Sequence, residues 1–138
     1  MKVQEAMHKG VEWRAPETPL VDIAKTMKEH DVGIVPIGKD DKLVGMVTDR
    51  DIVCRALVED GDLTRRTAGD VMTKKVVYCY EDETVEDAIH VMEDNAIRRL
   101  PVINRDKRLV GMLSLGDLSH RVPRELSGEL VGRVSAHH

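Results

Sequence analysis

Aromatic side chains are almost missing from this chain: 138 residues hold one Trp, two Tyr and no Phe, 2% of the total. Proteins that grip single-stranded nucleic acid stack bases on aromatic rings. That class is therefore disfavoured, and any bound base must be sandwiched by aliphatic groups. Cysteine is scarce too. Cys54 and Cys79 form no Cys-x-x-Cys pair and cannot make a disulfide framework, so both are expected as reduced, half-apolar side chains. Long apolar runs are absent. The longest stretch free of Asp, Glu, Lys and Arg is 109–116, eight residues, where a membrane-spanning helix needs about 20. MKVQEAMHKG carries no apolar core of secretory type, and the expectation is a cytoplasmic protein. Neither sign of charge dominates: 21 Lys+Arg stand against 25 Asp+Glu, interspersed, for a net −4. There is no basic run to suggest nucleic acid.

What the chain has is a repeat. Met7, Lys9 and Val11 recur as Met72, Lys74 and Val76, and Asp22, Met27 and Pro36 recur as Asp87, Met92 and Pro101, all 65 residues on. One residue then enters the turn after the proline. LVGM at 43–46 returns at 109–112, and Thr48, Asp51 and Arg55 return as Ser114, Asp117 and Arg121, now 66 residues on. So many matches with one slip mark an internal duplication.

Each copy reads as β-α-β-β-α. A short strand (76–80 in the second copy) precedes a helix opening at Thr84, with Val85, Ala88, Ile89 and Met92 at helical spacing. The matching helix of the first copy runs from about Thr18, with Leu20, Ile23, Ala24 and Met27 facing inward. VGIVPIG and IRRLPVIN are strands, KDDK and RDKR are charged turns, and LVGMVT and LVGMLS are the partner strands. A helix closes each copy. Copies of roughly 60 residues are marginal alone, so the expected α/β (α+β) fold packs two repeats sheet to sheet with pseudo-two-fold symmetry. The expected division is repeat 1 over 1–58, a polar linker over 59–67, repeat 2 over 68–123, and a C-terminal helix or tail over 124–138.

The chemistry concentrates where the last strand of each copy meets its last helix. GMVTDRD and GMLSLGD each present a glycine (Gly45, Gly111), a hydroxyl (Thr48, Ser114) and an acid three residues on (Asp51, Asp117). A helix start offers free N–H groups and partial positive charge to a phosphate. The hydroxyl can donate to a phosphate oxygen, and the carboxylate can accept from ribose hydroxyls. Glycine lets a ligand or a neighbouring backbone approach. Hydroxyl-x-x-acid is equally the pattern of a helix capping box, in which the acid folds back on its own chain. Both readings stay open on these residues alone.

GDVMTKKVV, ETVEDAIHVM, RRLPVI, LVGMVTDRDIV and LVGMLSLGDL together resemble a tandem pair of cystathionine-β-synthase (CBS) domains, the Bateman module, over about residues 3–123. The whole chain is similar to small stand-alone bacterial CBS proteins of the hypoxic-response type. The resemblance implies binding of an adenosyl ligand in the clefts between the repeats: AMP, ADP or ATP, with NAD or S-adenosylmethionine as variants. It implies no catalysis and no required cofactor. Arg98 and Arg99 fall where adenylate-binding members often carry a basic pair, and a guanidinium fork suits phosphate. Asp49 and Arg50, inside TDRD, complete the candidate set. The first copy has Gly33 and Ile34 in place of the arginines, so the two sites should be unequal.

Rival readings are a purely structural module with empty clefts and a metal or redox sensor. None of His8, His30, His90, His120, His137 and His138 forms a tight His-x-x-x-His pair within a helix, and a zinc site would need Cys54 or Cys79 from a separate segment. No P-loop, Gly-x-Gly-x-x-Gly or nucleophile motif is present. Without an attached catalytic or transport domain, the output falls to an unknown target protein or to self-assembly, and a homodimer joined by apolar helical faces is expected. Neither nucleic acid nor membrane is expected as a partner.

Overall fold

The computed structural model describes residues 1–60 and 62–121; the expected C-terminal helix lies outside them. In chain order the elements are α1 (Val3–Ala6), α2 (Leu20–His30), β1 (Ile34–Lys39), β2 (Lys42–Thr48) and α3 (Asp49–Asp51). A π-helical stretch (Ile52–Leu57) carries α3 into α4 (Val58–Asp60), and α5 (Ala68–Val71) follows. The remainder is β3 (Cys79–Tyr80), α6 (Val85–Asn95), β4 (Arg99–Ile103), β5 (Leu109–Ser114) and α7 (Leu115–Arg121). Helices and strands mix in two sheets, an α+β fold.

The chain divides into two compact units that cut across the sequence repeats. A continuous unit spans Glu12–Val76, and a split unit joins Met1–Val11 to the chain from Val77 onward. Each repeat thus surrenders its opening segment to the unit built on the other. In the split unit, Val3 N donates to Glu83 O (2.8 Å), Gln4 N to Glu81 O (3.0 Å) and Val85 N to Met1 O (2.9 Å). In the continuous unit the equivalent residues repeat this: Ala68 N to Thr18 O (2.8 Å), Gly69 N to Pro16 O (2.8 Å) and Leu20 N to Arg66 O (2.9 Å). The segment expected as a linker therefore runs straight into packed structure, through a 3-10 turn at Leu63–Arg65 that Asp62 caps.

Each sheet is built the same way. β1 and β2 pair antiparallel, as do β4 and β5, and both ladders slip one residue before the glycine, after Ile37↔Gly45 and Val102↔Gly111. β3 runs parallel to β4, and Arg14 bridges Ile37 in parallel at the matching place. On the far edge His8 bridges Met112, and Thr73 bridges Met46. The expected strand at 76–80 is thus confined to its last two residues.

Burial follows the helical periods. Val85, Ala88, Ile89 and Met92 of α6 pack with Leu100, Val102 and Leu113 beneath, and Val3, Ala6 and Met7 complete that core. Leu20, Ile23 and Met27 of α2 do the same with Val35, Ile37 and Val47, joined by Ala68 and Val71. Ala24 departs from expectation by being exposed. Thr26 is buried instead, because its hydroxyl donates to Asp22 O (3.0 Å) and so needs no water. Both α2 and α6 end on a non-glycine residue in the left-handed region, Asp31 and Ala96, each with φ 52°. Two of the three aromatics, Tyr78 and Tyr80, meet edge to face in one corner of the split unit. Arg105 lies 4.0 Å over the Tyr80 ring and grips both Asp82 oxygens, holding that carboxyl below its ordinary range.

Candidate functional site

Strand β2 delivers Thr48, and β5 delivers Ser114, to the start of a helix, and both hydroxyl-x-x-acid motifs close as capping boxes. Asp51 N donates to Thr48 Oγ1 (3.0 Å) while Thr48 N donates to Asp51 Oδ2 (2.9 Å). Asp117 N donates to Ser114 Oγ (3.1 Å) while Ser114 N donates to Asp117 Oδ2 (3.0 Å). The cap does not exhaust these groups. Each hydroxyl only accepts in the box, so its proton remains to be given elsewhere. Asp117 Oδ1 makes no hydrogen bond among the described residues. Asp51 Oδ1 has only a 3.9 Å ion pair to Arg55 on the next turn. Capping holds the acid in one rotamer and leaves one oxygen turned to other use.

The expectation of free helix-start amides fails in the continuous unit. Asp49 N donates to Gly33 O (2.9 Å), Arg50 N to Asp49 Oδ1 (2.8 Å) and Asp51 N to Thr48 Oγ1. An acid at the first helical position and a box at the third consume them all. An anion there would have only side chains to hold it.

The glycines answer to methionine. A Cβ on Gly45 would lie 2.5 Å from Met72 Sδ, and one on Gly111 would lie 2.6 Å from Met7 Sδ and 2.8 Å from His8 O. The close neighbour is the opening segment of the other repeat, a strap over residues 3–9 or 68–74, so Gly45 and Gly111 act on the packing of that strap.

The split unit has a cavity of about 800 Å³ lined by Gln4, Glu5, Met7, His8 and Lys9 of the strap, with Glu81 and Asp117. Of the candidate residues, Asp117 alone lines it. Arg98 and Arg99 flank the motif from β4: Arg99 stands across the ladder from Ser114, and Arg98 O accepts from Leu115 N (2.9 Å). Both are exposed, and neither guanidinium has a partner among the described residues. Arg50 is likewise exposed. Strap residues 4–9 and Glu81 were not singled out in the sequence as a wall, although Met7 and Lys9 recur as Met72 and Lys74 in a stretch with no evident element. Cys54 is exposed and Cys79 buried, both as free thiols; burial, with Glu83 nearby, pushes the Cys79 thiol up to about 12. Among the described residues no group of three His, Cys, Asp or Glu could hold a metal, and no helix is long and apolar enough to cross a membrane.

Known proteins share this arrangement. The family model for the CBS domain matches residues 3–57 and 68–124. The chain is 36% identical over 132 residues to Hypoxic response protein 1 of Mycobacterium tuberculosis, covering 95% of this chain and 92% of that one. The crystal structure of Hypoxic Response Protein I with two coordinated zinc ions superposes with a TM-score of 0.81 at 35% identity, over 89% of this chain and 100% of that one. The CBS domain pair of MJ0100, in complex with 5′-methylthioadenosine and S-adenosyl-L-methionine, gives 0.77 at 27% identity, over 87% and 94%. CBSX2 in complex with AMP gives 0.76 at 26%, over 86% and 93%. With two matched copies on an α+β frame, the chain belongs to the CBS-domain family as a tandem pair.

Proposed function

We propose that this chain is a regulatory module that senses an adenosyl ligand and passes the signal to a target protein or to its own assembly, without turning the ligand over. Residues 1–58 and 68–123 are the two sensing repeats and 59–67 joins them. The observation that carries the reading is Asp117: a carboxylate fixed by its cap, with one oxygen that makes no hydrogen bond among the described residues, on the wall of a cavity of about 800 Å³. Such an oxygen is suited to a ribose diol, and the aliphatic Met7 beside it is suited to the face of a base. Glu5 and Glu81 outweigh Lys9 and leave the rest of that wall net acidic. Phosphate is therefore assigned to Arg98 and Arg99 outside the cavity, with Ser114 donating. Gly111 supports the site indirectly, by seating the strap. The adenosyl ligands of MJ0100 and CBSX2 support the same class here.

Thermal unfolding with a panel of AMP, ATP, S-adenosylmethionine and zinc tests it. A ligand at 100 times its Kd adds about 2.7 kcal/mol of stability. Asp117→Ala is expected to cost about 1.5–3 kcal/mol of binding but only about 1 kcal/mol of fold, the worth of a cap. A midpoint that answers to zinc and to no adenosyl ligand overturns the proposal.

A further inference from the structure

The two hydroxyl-x-x-acid motifs differ at two pairs of positions that touch: across the ladder Ile34 faces Thr48 where Arg99 faces Ser114, and a second pair is joined by a main-chain hydrogen bond. In the split unit this second pair is Arg98 and Leu115, joined by the Leu115 N to Arg98 O bond (2.9 Å). In the continuous unit the same bond joins Asp49 N to Gly33 O (2.9 Å). A Cβ on Gly33 would lie 2.9 Å from Asp49 Oδ2 and 3.3 Å from its Cγ. Gly33 is not there for backbone freedom, since among the described residues only Gly10 is a glycine at positive φ. What bars a side chain at position 33 is the Asp49 carboxylate, which leans over the place from which Arg98 projects in the other unit. Its other oxygen is pinned by Arg50 N (2.8 Å), so the carboxylate is held there.

The charge balance follows from this exchange. Leaving aside the cavity wall of Glu5, Lys9 and Glu81, Arg98, Arg99 and Asp117 stand around Ser114, a net positive charge. Around Thr48 stand Asp49, Arg50, Asp51 and Arg55, and the charges cancel, with Arg55 already leaning on Asp51 (3.9 Å). Removing Asp49 alone would restore the positive balance. We infer that Asp49, seated on Gly33, is a specificity-determining residue that turns phosphate away from the Thr48–Asp51 motif. That motif then takes an adenosyl group without phosphate, while the Ser114–Asp117 motif takes a phosphorylated one. The inference rests on the adenosyl reading above and makes Asp49, a candidate binding residue in the sequence, one that excludes phosphate.

Adenosine and AMP differ only by the phosphate and are the probes. Calorimetric titration of the full chain is expected to show two adenosine sites and one AMP site. Asp49→Asn keeps an acceptor for Arg50 N and removes the charge, and it is expected to tighten a second AMP event several-fold. Gly33→Arg with Asp49→Leu copies the Arg98–Leu115 pair of the other motif and is expected to admit a second AMP about tenfold more tightly than the wild type, a Coulomb effect of ordinary size near a surface. Adenosine affinity should move less than twofold in both variants. Added salt should erode the gain for AMP alone. Two equal AMP sites in the wild type, or variants that bind two adenosines and still one AMP, overturn the inference while leaving the adenosyl reading intact. A wild type that binds neither probe overturns that reading and this inference with it.

Discussion

The strap-to-glycine contacts differ between the units in a way that adding one methyl group to each glycine should expose. In the continuous unit the three atoms nearest a Cβ on Gly45 all belong to the Met72 side chain, at 2.5 Å for Sδ, 2.9 Å for Cγ and 3.2 Å for Cβ. A thioether arm can swing away at roughly 0.5–1.5 kcal/mol for an off-rotamer turn, and replacing a strand glycine returns about 0.5–1 kcal/mol. Gly45→Ala should therefore be close to neutral. In the split unit the same methyl on Gly111 meets His8 O at 2.8 Å as well as Met7 Sδ at 2.6 Å. That carbonyl is main chain: it accepts from Met112 N (3.0 Å), and His8 N of the same residue donates to Met112 O (2.8 Å). Retreat strains both, at about 1 kcal/mol each, so Gly111→Ala should cost about 2 kcal/mol, or roughly 8 °C of melting midpoint in a chain of this size. Thermal and urea unfolding of both variants measure it. A double-mutant cycle separates the causes: Met72→Ala should couple strongly to Gly45→Ala, whereas Met7→Ala should leave most of the Gly111→Ala loss in place. Equal losses at the two glycines, or full relief of Gly111→Ala by Met7→Ala, would refute the reasoning.

Further outcomes follow from the same geometry. Ala96 holds φ 52° at the end of α6, where a Cβ is strained. Ala96→Gly should raise stability by about 0.5–1 kcal/mol, and a loss in urea unfolding would contradict this. Cys79 stays protonated in the fold up to about 12, from an ordinary 9.0. The stability this thiol contributes is complete below pH 9 and falls as pH rises toward 12, because only the unfolded chain has released the proton. Cys79→Val should flatten that alkaline decline, and in the native protein Ellman's reagent should titrate Cys54 quickly and Cys79 only after unfolding. Val53, Leu57 and Val58 are 52%, 48% and 75% exposed along the helix after β2, a face suited to self-association. Light scattering should give twice the 15.5 kDa chain mass, and Leu57→Asp with Val58→Asp should halve it; a wild-type monomer at micromolar concentration sinks the dimer.

Much of this was legible in the sequence because helices and strands here obey their periods. The α6 positions Val85, Ala88, Ile89 and Met92 are all buried, and the hairpins turn at KDDK and RDKR as charged punctuation predicts. Ala24 escaped because α2 buries a narrow stripe, and a small residue at its edge costs little when exposed. At the motifs, cap and ligand readings looked like rivals in sequence. The geometry makes them compatible, since a cap uses one carboxylate oxygen and the acceptor side of the hydroxyl. The Gly33–Asp49 contact was invisible for a plainer reason: fifteen residues separate the pair, and only the register of β1 on β2 brings them together.

The exchange of opening segments marks a deeper limit of reading a duplicated chain. Met7 and Met72 are equivalent, and so are Gly45 and Gly111; a pairing rule drawn from one repeat is satisfied equally by the other. No hydrophobic pattern can choose between Met7 on its own repeat's sheet and Met7 on the other's, because both bury the same atoms. Chain connection makes the choice. Thr67 ends a short run from α4, and the Asp70 box that caps it starts α5 at once. Residues 68–73 therefore have little slack and lie on the sheet of β1 and β2, placing Met72 on Gly45. The strap at 3–8 lies on the sheet of β3, β4 and β5, and meets Gly111. One consequence reaches the site: in the split unit the cavity wall comes from the beginning of the chain and its acid from near residue 117. Ligand bound there would tie together segments more than a hundred residues apart, and the bonds from Met112 to His8 are where that closure would register.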